Sequence, residues 1–275
     1  MTALVAGEAG IERHDVPRGL IWVWRDSWTE AMRHLQAVPR SPELLIFATL
    51  QPIMFVLLFV YVFGGAIATP GFDDYADFLI PGIIVQNIAF GGFVTALGLN
   101  DDLKKGLIDR FRSLPMARSA VLAGRTLADV VTNFLSMMVL LTTGLIIGFS
   151  FDAAIGEILL GIVLLLMFGY AFSWFFALLG LLVSSPEAAN SVGFIVVFPL
   201  TFISSAFVPV ESMPGALQWF AEINPFTIMV DAIRALWLSA PAGNSIWGAF
   251  AWTAAIFAIF APLAVHRYRT AAGGR

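Results

Sequence analysis

The sequence contains no cysteine and few charged residues. The absence of cysteine excludes a disulfide framework, a thiolate metal site and a cysteine nucleophile. Charged residues make up only 12% of the 275 residues, whereas 59% are hydrophobic and the mean hydropathy is +0.86. That is about half the charge of a soluble domain, and one soluble core could not bury so much apolar surface. The composition therefore excludes a soluble globular protein and indicates a chain whose solvent is lipid.

Motifs of the common enzyme classes are also missing. The only lysines, Lys104 and Lys105, do not follow the glycine-rich turn of a phosphate-binding loop. Neither H-E-x-x-H nor G-x-S-x-G occurs. We therefore predict that the chain is not an enzyme and binds no metal or cofactor itself. The net charge of −4, with its basic residues in separate clusters, gives no indication of nucleic acid binding.

Six apolar segments are long enough to cross a membrane, since roughly twenty helical residues span a ~30 Å hydrocarbon layer. They are Leu44 to Ala68, Phe78 to Leu99, Leu127 to Phe149, Ile155 to Val183, Ala188 to Val208 and Ile246 to Val265. A further stretch, Met213 to Leu238, is interrupted by Pro214, Asn224 and Pro225. It predicts a re-entrant helical hairpin, because broken backbone is tolerated at membrane depth only under a cover of protein or water. The predicted fold class is an all-α polytopic membrane protein with one transmembrane domain, residues 44–265, between termini of residues 1–43 and 266–275.

The basic residues predict the orientation. Fourteen of the fifteen precede the first span, lie between the second and third spans, or follow the sixth; Arg234 is the exception. Six spans place all fourteen on one side, which is cytoplasmic by the positive-inside rule. We expect a multi-pass protein of the cell membrane with both termini in the cytoplasm.

Residues 16–38 have the spacing of an amphipathic helix lying on the inner membrane surface. Its Trp22, Trp24 and Trp28 suit the headgroup region, since an indole is apolar in body and polar at one edge. A generic interfacial anchor without a specific partner explains this segment equally well.

The loop between the second and third spans has a helical pattern of its own. Leu103, Leu107, Phe111 and Leu114 recur at three- and four-residue spacing until Pro115 ends the pattern. A short helix here could dock a cytoplasmic partner through its charged residues. The alternative is that these bases only fix topology and bind anionic lipid.

The span centres contain polar and aromatic residues but almost no charge. Asp129, Glu157 and Glu187 are predicted near span ends, which counts against a proton-coupled carrier because such carriers keep ionisable groups at mid-membrane. Most of the polar residues are interpreted as helix packing contacts, and the remainder could line a path for a bulky, partly apolar substrate. The candidates are Gln51, Gln86, Asn87, Asn133, Tyr170, Trp174, Asn190 and Thr201.

Two regions resemble the permease subunits of type-2 ABC (ABC-2) exporters. Residues 102–125 are similar to the coupling-helix region of that family, with an acidic Asp102, a glycine, an Arg-x-x-Pro stretch ending at Pro115 and a closing Arg125. Residues 204–234 resemble its re-entrant hairpin. The form with Lys104 and the run from Phe111 to Met116 looks most similar to the daunorubicin/doxorubicin-resistance permeases of actinobacteria, although many members have Glu where Asp102 stands.

The resemblance implies a homodimer that works with two copies of a separate ABC ATPase, which would bind the ATP and Mg. It further implies that the coupling residues contact that ATPase, that the tryptophan-rich helix braces the joint, and that Asn224, Pro225, Asp231 and Arg234 shape an outer gate. Mutual charge satisfaction between Asp231 and Arg234, at i, i+3 spacing, explains that pair equally well. The implied coupling residues are Asp102, Lys104, Lys105, Asp109, Arg110, Phe111, Arg112 and Pro115.

The function that these patterns favour is ATP-driven export of hydrophobic or amphipathic drugs. Export of a glycolipid or of a polyisoprenyl-linked glycan by the same kind of machine is an open alternative. A proton-coupled carrier and a membrane scaffold that transports nothing are the alternatives from other classes. Dependence of export on a separate ATPase discriminates the first two from the last two.

Overall fold

The computed structural model describes residues 42–72, 74–104 and 118–271. Within these ranges all regular elements are helices, as the sequence predicts. The chain forms α1 (Pro42–Leu58, continued by a π-helical turn, Phe59–Phe63), α2 (Tyr75–Phe90), α3 (Phe93–Lys104), α4 (Arg118–Ile147), α5 (Ile155–Leu182), α6 (Pro186–Phe202), α7 (Gly215–Ile223), α8 (Pro225–Leu238) and α9 (Ser245–Ala271).

Four helical segments are long and apolar enough to cross a membrane. They are Tyr75–Asp102, Leu122–Ile147, Ile155–Leu182 and Ser245–Tyr268, of 24 to 28 residues each, and they overlap the predicted second, third, fourth and sixth spans. The first of them consists of α2 and α3, separated only by Gly91 and Gly92. The predicted first and fifth spans fall on shorter apolar helices, Leu50–Phe63 and Pro186–Phe202, so the count of six spans stays a prediction, as does the orientation.

Helix α5 lies at the centre of the bundle. Its sequence is apolar on all sides, which is typical of a fully enclosed helix, and it packs against α2, α3, α4, α6, α8 and α9. In its most apolar window 61% of the residues are buried, compared with 28% in the corresponding windows of α4 and α9. Helices α4 and α9 therefore turn large apolar faces outward.

The interrupted stretch after α6 folds as two short helices, as its prolines and asparagine predict. After a turn of 3₁₀ helix, Val210–Ser212, α7 begins beyond Pro214 and α8 begins at Pro225. Asn224 caps α8 because its Oδ1 accepts a hydrogen bond from Phe226 N at 2.9 Å. Insertion of this pair into the membrane as a re-entrant hairpin stays a prediction.

Several predicted features lie outside the described residues. These are the interfacial helix with Trp22, Trp24 and Trp28, and the greater part of the predicted coupling segment. In that segment they comprise Lys105, Asp109, Arg110, Phe111, Arg112, Pro115 and the side chain of Lys104.

Candidate functional site

The polar chemistry of the described residues is concentrated along the two-part span of α2 and α3. Among those residues no three His, Asp or Glu side chains come together as metal ligands. Hydrogen-bonded networks instead occur near the start of α2 and near the end of α3, with a buried polar layer between them.

Near the start of α2 lies the Arg234 cluster, which consists of Arg234, Asp231, Phe78 and Ser205. The Arg234 side chain is buried, and its Nε and Nη2 donate to Phe78 O at 3.1 and 2.6 Å. Nη2 also donates to Ser205 O at 2.8 Å, and Nη1 to Asp231 Oδ1 at 3.2 Å. The guanidinium carbon lies 3.6 Å from the centroid of the Phe78 ring, a cation–π contact. One side chain thus joins α2, the chain after α6, and α8.

Arg234 keeps its charge in this setting. Burial lowers the pKa of Arg234 to about 10, with the Asp231 carboxylate opposing the shift, so the guanidinium is cationic at neutral pH. Asp231 also accepts a hydrogen bond from Ser205 Oγ at 2.8 Å. The predicted i, i+3 contact is therefore present, but the guanidinium is also engaged by two backbone carbonyls. A gating role for the pair stays a prediction.

Asn224 makes a second connection in this region. Its Nδ2 donates to Leu200 O and to Ile203 O, both at 2.6 Å, where α6 ends and leaves carbonyls without helical partners. The same amide caps α8 through Oδ1, and the residue is 1% exposed. Asn224 therefore holds the end of α6 against the start of α8, with Pro225 at the first helical position of α8.

At the other end of the span lies the Arg125 clamp, formed by Arg125, Asp102 and Gly98. Arg125 Nη1 and Asp102 Oδ2 form an ion pair at 2.7 Å. A Cβ atom added at Gly98 would overlap Nη2 of Arg125, so only glycine leaves room for the guanidinium there. The clamp joins the end of α3 to the start of α4, the two helices that flank residues 105–117. Contact of Asp102 with an ATPase stays a prediction.

Between the two networks, α2–α3, α4 and α5 meet in a buried polar layer. Thr95 Oγ1 donates to Asp129 Oδ2 at 2.6 Å, and Ser173 on α5 faces the same carboxylate. One turn along α4, Asn133 lies between Gly91 and Gly169, each of which would overlap or crowd its amide if it carried a Cβ. All the side chains of this layer are buried.

A four-residue spacing in the sequence predicts this layer, although no single span indicates it when considered alone. Gly91 and Thr95, Asp129 and Asn133, and Gly169 and Ser173 are pairs of small or polar residues spaced four apart. That spacing places both members on one helix face, and small residues allow close helix approach.

The predicted pathway residues are not gathered in one place. Asn133 belongs to the polar layer, and the rings of Tyr170 and Trp174 pack on each other and on Phe257. The Thr201 hydroxyl donates to Val197 O within its own helix. The remaining candidates are partly buried or exposed: Gln86 and Asn87 are half-buried, and Gln51 and Asn190 are exposed.

An aromatic cavity of about 300 Å³ lies between α5, α6, α7, α8 and α9. Apart from Asn224, whose amide is fully engaged, its lining is apolar. The sequence did not single it out, because its aromatic rings come from three separate helices, α5, α7 and α9. The aromatic lining residues are Phe172, Phe175, Phe220, Trp252 and Phe260.

Comparison with known proteins gives a consistent result. The model of the family described as ABC-2 type transporter matches residues 26–238. The chain is 34% identical to the daunorubicin resistance ABC transporter permease protein of Streptomyces coeruleorubidus, over 98% of this chain and 92% of that protein. It is 27% identical to a probable doxorubicin resistance ABC transporter permease protein of Mycobacterium tuberculosis, over 80% of each chain. It is also 27% identical to a putative transport permease of Cyanophora paradoxa, over 72% of this chain and 69% of that protein.

Proposed function

The chain belongs to the ABC-2 type transporter family, and from that membership we propose that it is the permease subunit of an exporter that moves hydrophobic or amphipathic drugs out of the cell. The observation that carries the proposal is the similarity, over almost the whole chain, to a permease named for daunorubicin resistance. The aromatic cavity, whose lining is apolar apart from the engaged amide of Asn224, is compatible with such substrates.

Energy for export comes in this proposal from a separate ABC ATPase, present in two copies, which binds the ATP and Mg. The sequence has no phosphate-binding loop of its own. Residues 102–115 lie in a groove of the ATPase, and closure of the ATPase dimer over ATP displaces this segment. The Arg125 clamp supports the proposal because it joins the two helices that flank the segment, so that a displacement reaches both helices together.

The arrangement in the cell membrane is proposed on the charges and on the exposed faces. Six spans, with both termini in the cytoplasm, leave only Arg234 outside the cytoplasmic basic clusters. The Arg125 clamp then lies near the cytoplasm and the Arg234 cluster near the outer leaflet. The outward apolar faces of α4 and α9 and of α6 leave room for a second permease copy as well as for lipid.

Association with the ATPase is the first test. We expect the double variant Arg110→Glu, Arg112→Glu to insert into the membrane normally but to lose co-purification with the ATPase, because reversed charges cannot dock on the same groove. The matched control, Arg267→Glu with Arg269→Glu, reverses two charges at the end of the last helix and should retain the ATPase. Co-purification of the first variant at the wild-type level would contradict the coupling assignment.

Transport is tested with the reconstituted complex. ATP hydrolysis in lipid, measured against a panel of anthracyclines and lipids, should be stimulated by amphipathic drugs and should lose that stimulation in the Arg110, Arg112 double variant. Failure of the chain to bind an ABC ATPase would instead favour a carrier or a scaffold.

A further inference from the structure

The polar layer contains an ionisable group that the proposed function does not use. Asp129 is 8% exposed and lies in the span Leu122–Ile147, seven residues and therefore about 10 Å beyond the first residue of that span. An ionisable side chain at such a depth is costly, and it is normally kept where it meets a partner inside the bundle.

The charges around Asp129 do not balance. Arg125, one turn earlier on α4, is the described cation that acts on this carboxylate, but its Nη1 is bound at 2.7 Å to Asp102. The carboxylates of Asp129 and Asp102 and the guanidinium of Arg125 together carry one net negative charge. The Thr95 hydroxyl, at 2.6 Å, supplies a hydrogen bond but no charge.

One buried polar group beside Asp129 has no hydrogen-bond partner. It is Nδ2 of Asn133, in a residue that is 3% exposed. The hydroxyl of Ser173, which is 0% exposed, is engaged with the Asp129 carboxylate, and Asn133 lies one turn further along the same face of α4. Since buried polar groups are nearly always paired, the unpaired amide nitrogen indicates a place for a polar ligand.

We propose that Asp129, Ser173 and Asn133 form a binding site for the protonated amine of a cationic amphipathic substrate. An ammonium group carries up to three N–H donors and a positive charge. The Asp129 carboxylate supplies the opposite, negative charge and one hydrogen-bond acceptor, and Ser173 Oγ supplies a second acceptor. Nδ2 of Asn133 is a donor, and it binds an oxygen atom of the same ligand.

The fold determines how such a ligand reaches the site. The Arg125 clamp lies one turn from Asp129 towards residues 105–117, and glycines at positions 91, 98 and 169 hold α2–α3, α4 and α5 in close contact. Separation of α3 from α4 at the clamp exposes Asp129 to that side. This inference rests on the proposed function, because it assigns the site to the exported substrate.

The experiment uses the permease–ATPase complex in lipid nanodiscs and two probes, a dansyl-labelled alkylamine and its N-acetyl derivative, which is neutral at pH 7. Fluorescence anisotropy gives the Kd of each probe. We expect the wild-type complex to bind the amine at least tenfold more tightly than the neutral probe. Asp129→Asn should abolish this preference, and Asp129→Glu, which keeps the charge, should retain part of it.

The matched control is Asp152→Asn, the same chemical change at an exposed carboxylate, which should leave the preference unchanged. An undiminished preference in Asp129→Asn, or equal binding of both probes by the wild-type complex, would overturn the inference. If Asp129→Asn fails to assemble, Ser173→Ala provides the test instead. We expect Ser173→Ala to raise the Kd of the amine about fivefold and to leave the Kd of the neutral probe unchanged. An unchanged Kd for the amine would overturn the site.

ATP hydrolysis in the same nanodiscs separates the two proposals. A wild-type complex that prefers the amine in the binding assay, but whose hydrolysis neither probe nor any drug stimulates, supports the site and contradicts drug export. A complex whose hydrolysis is stimulated equally by both probes supports export and contradicts the site.

Discussion

Single residues connect elements that are distant in the sequence. Arg234 is an example in which one contact is predictable from the sequence and the others are not. Its contact with Asp231 is predictable, because both residues lie on one helix face. Its bonds to Phe78 O and Ser205 O are not, because a carbonyl becomes available only where tertiary structure brings an unpaired one close. The same holds for the two carbonyls bound by Asn224.

The backbone bonds of Arg234 determine what an exchange of charges would do. We expect Arg234→Ala to destabilise the protein by about 1 to 3 kcal/mol, since it leaves the buried carbonyl oxygens of Phe78 and Ser205 without their donor. The exchange Asp231→Arg with Arg234→Asp should not restore stability, because the guanidinium would leave both carbonyls. Thermal unfolding of the purified protein in detergent measures this. A wild-type melting temperature for the exchanged protein would mean that the side-chain pair alone suffices.

At the scale of the elements, helix identity was predictable and helix ends were not. Four long apolar runs fold as the expected helices, because apolar length alone identifies a span. Helix α4, however, begins at Arg118 rather than near Leu127, since the residues before the apolar run continue the same helix. The extra turns carry Arg125, and the clamp that it forms with α3 could not be inferred from the apolar segments.

The clamp predicts contrasting effects of two glycine substitutions. Gly98→Ala should displace the Arg125 guanidinium and break its ion pair, and we expect a loss of about 1 to 3 kcal/mol in stability, as for overpacking. Gly156→Ala, where an added Cβ meets nothing within 4 Å, should be neutral or stabilising by ~0.4 to 1 kcal/mol. Melting temperatures of the two variants provide the comparison, and equal values would contradict a close contact at Gly98.

For the whole molecule, the arrangement of helices around α5 decides which residues meet, and no single-span pattern contains that information. Helix α6 illustrates the consequence. It is buried along one narrow stripe, formed by Ala189, Gly193, Val197 and Thr201, and from Val192 to Phe198 its other faces are apolar and exposed. Its length of 17 residues is short for a span. Because α6 is short and largely exposed, we expect it to be covered by a further protein neighbour in preference to the longer α9.

We therefore expect α6 to contact a second copy of the chain. Because the sequence has no cysteine, single cysteines can be placed without background. Ile195→Cys, at a position 71% exposed, should form a cross-linked dimer on mild oxidation in membranes. Ile259→Cys on α9, 54% exposed, is the comparison and should not. Cross-linking of the second variant alone would move the interface to α9.

The two-part span has both of its ends fixed by guanidinium groups, Arg234 near Phe78 and Arg125 near Asp102. Between these attachments the helix is interrupted only at Gly91 and Gly92. Because each helix is itself rigid, any change of the angle at Gly91 and Gly92 alters the distance between these two attachments. The elements that Arg234 and Arg125 bind therefore move together with the bend between α2 and α3.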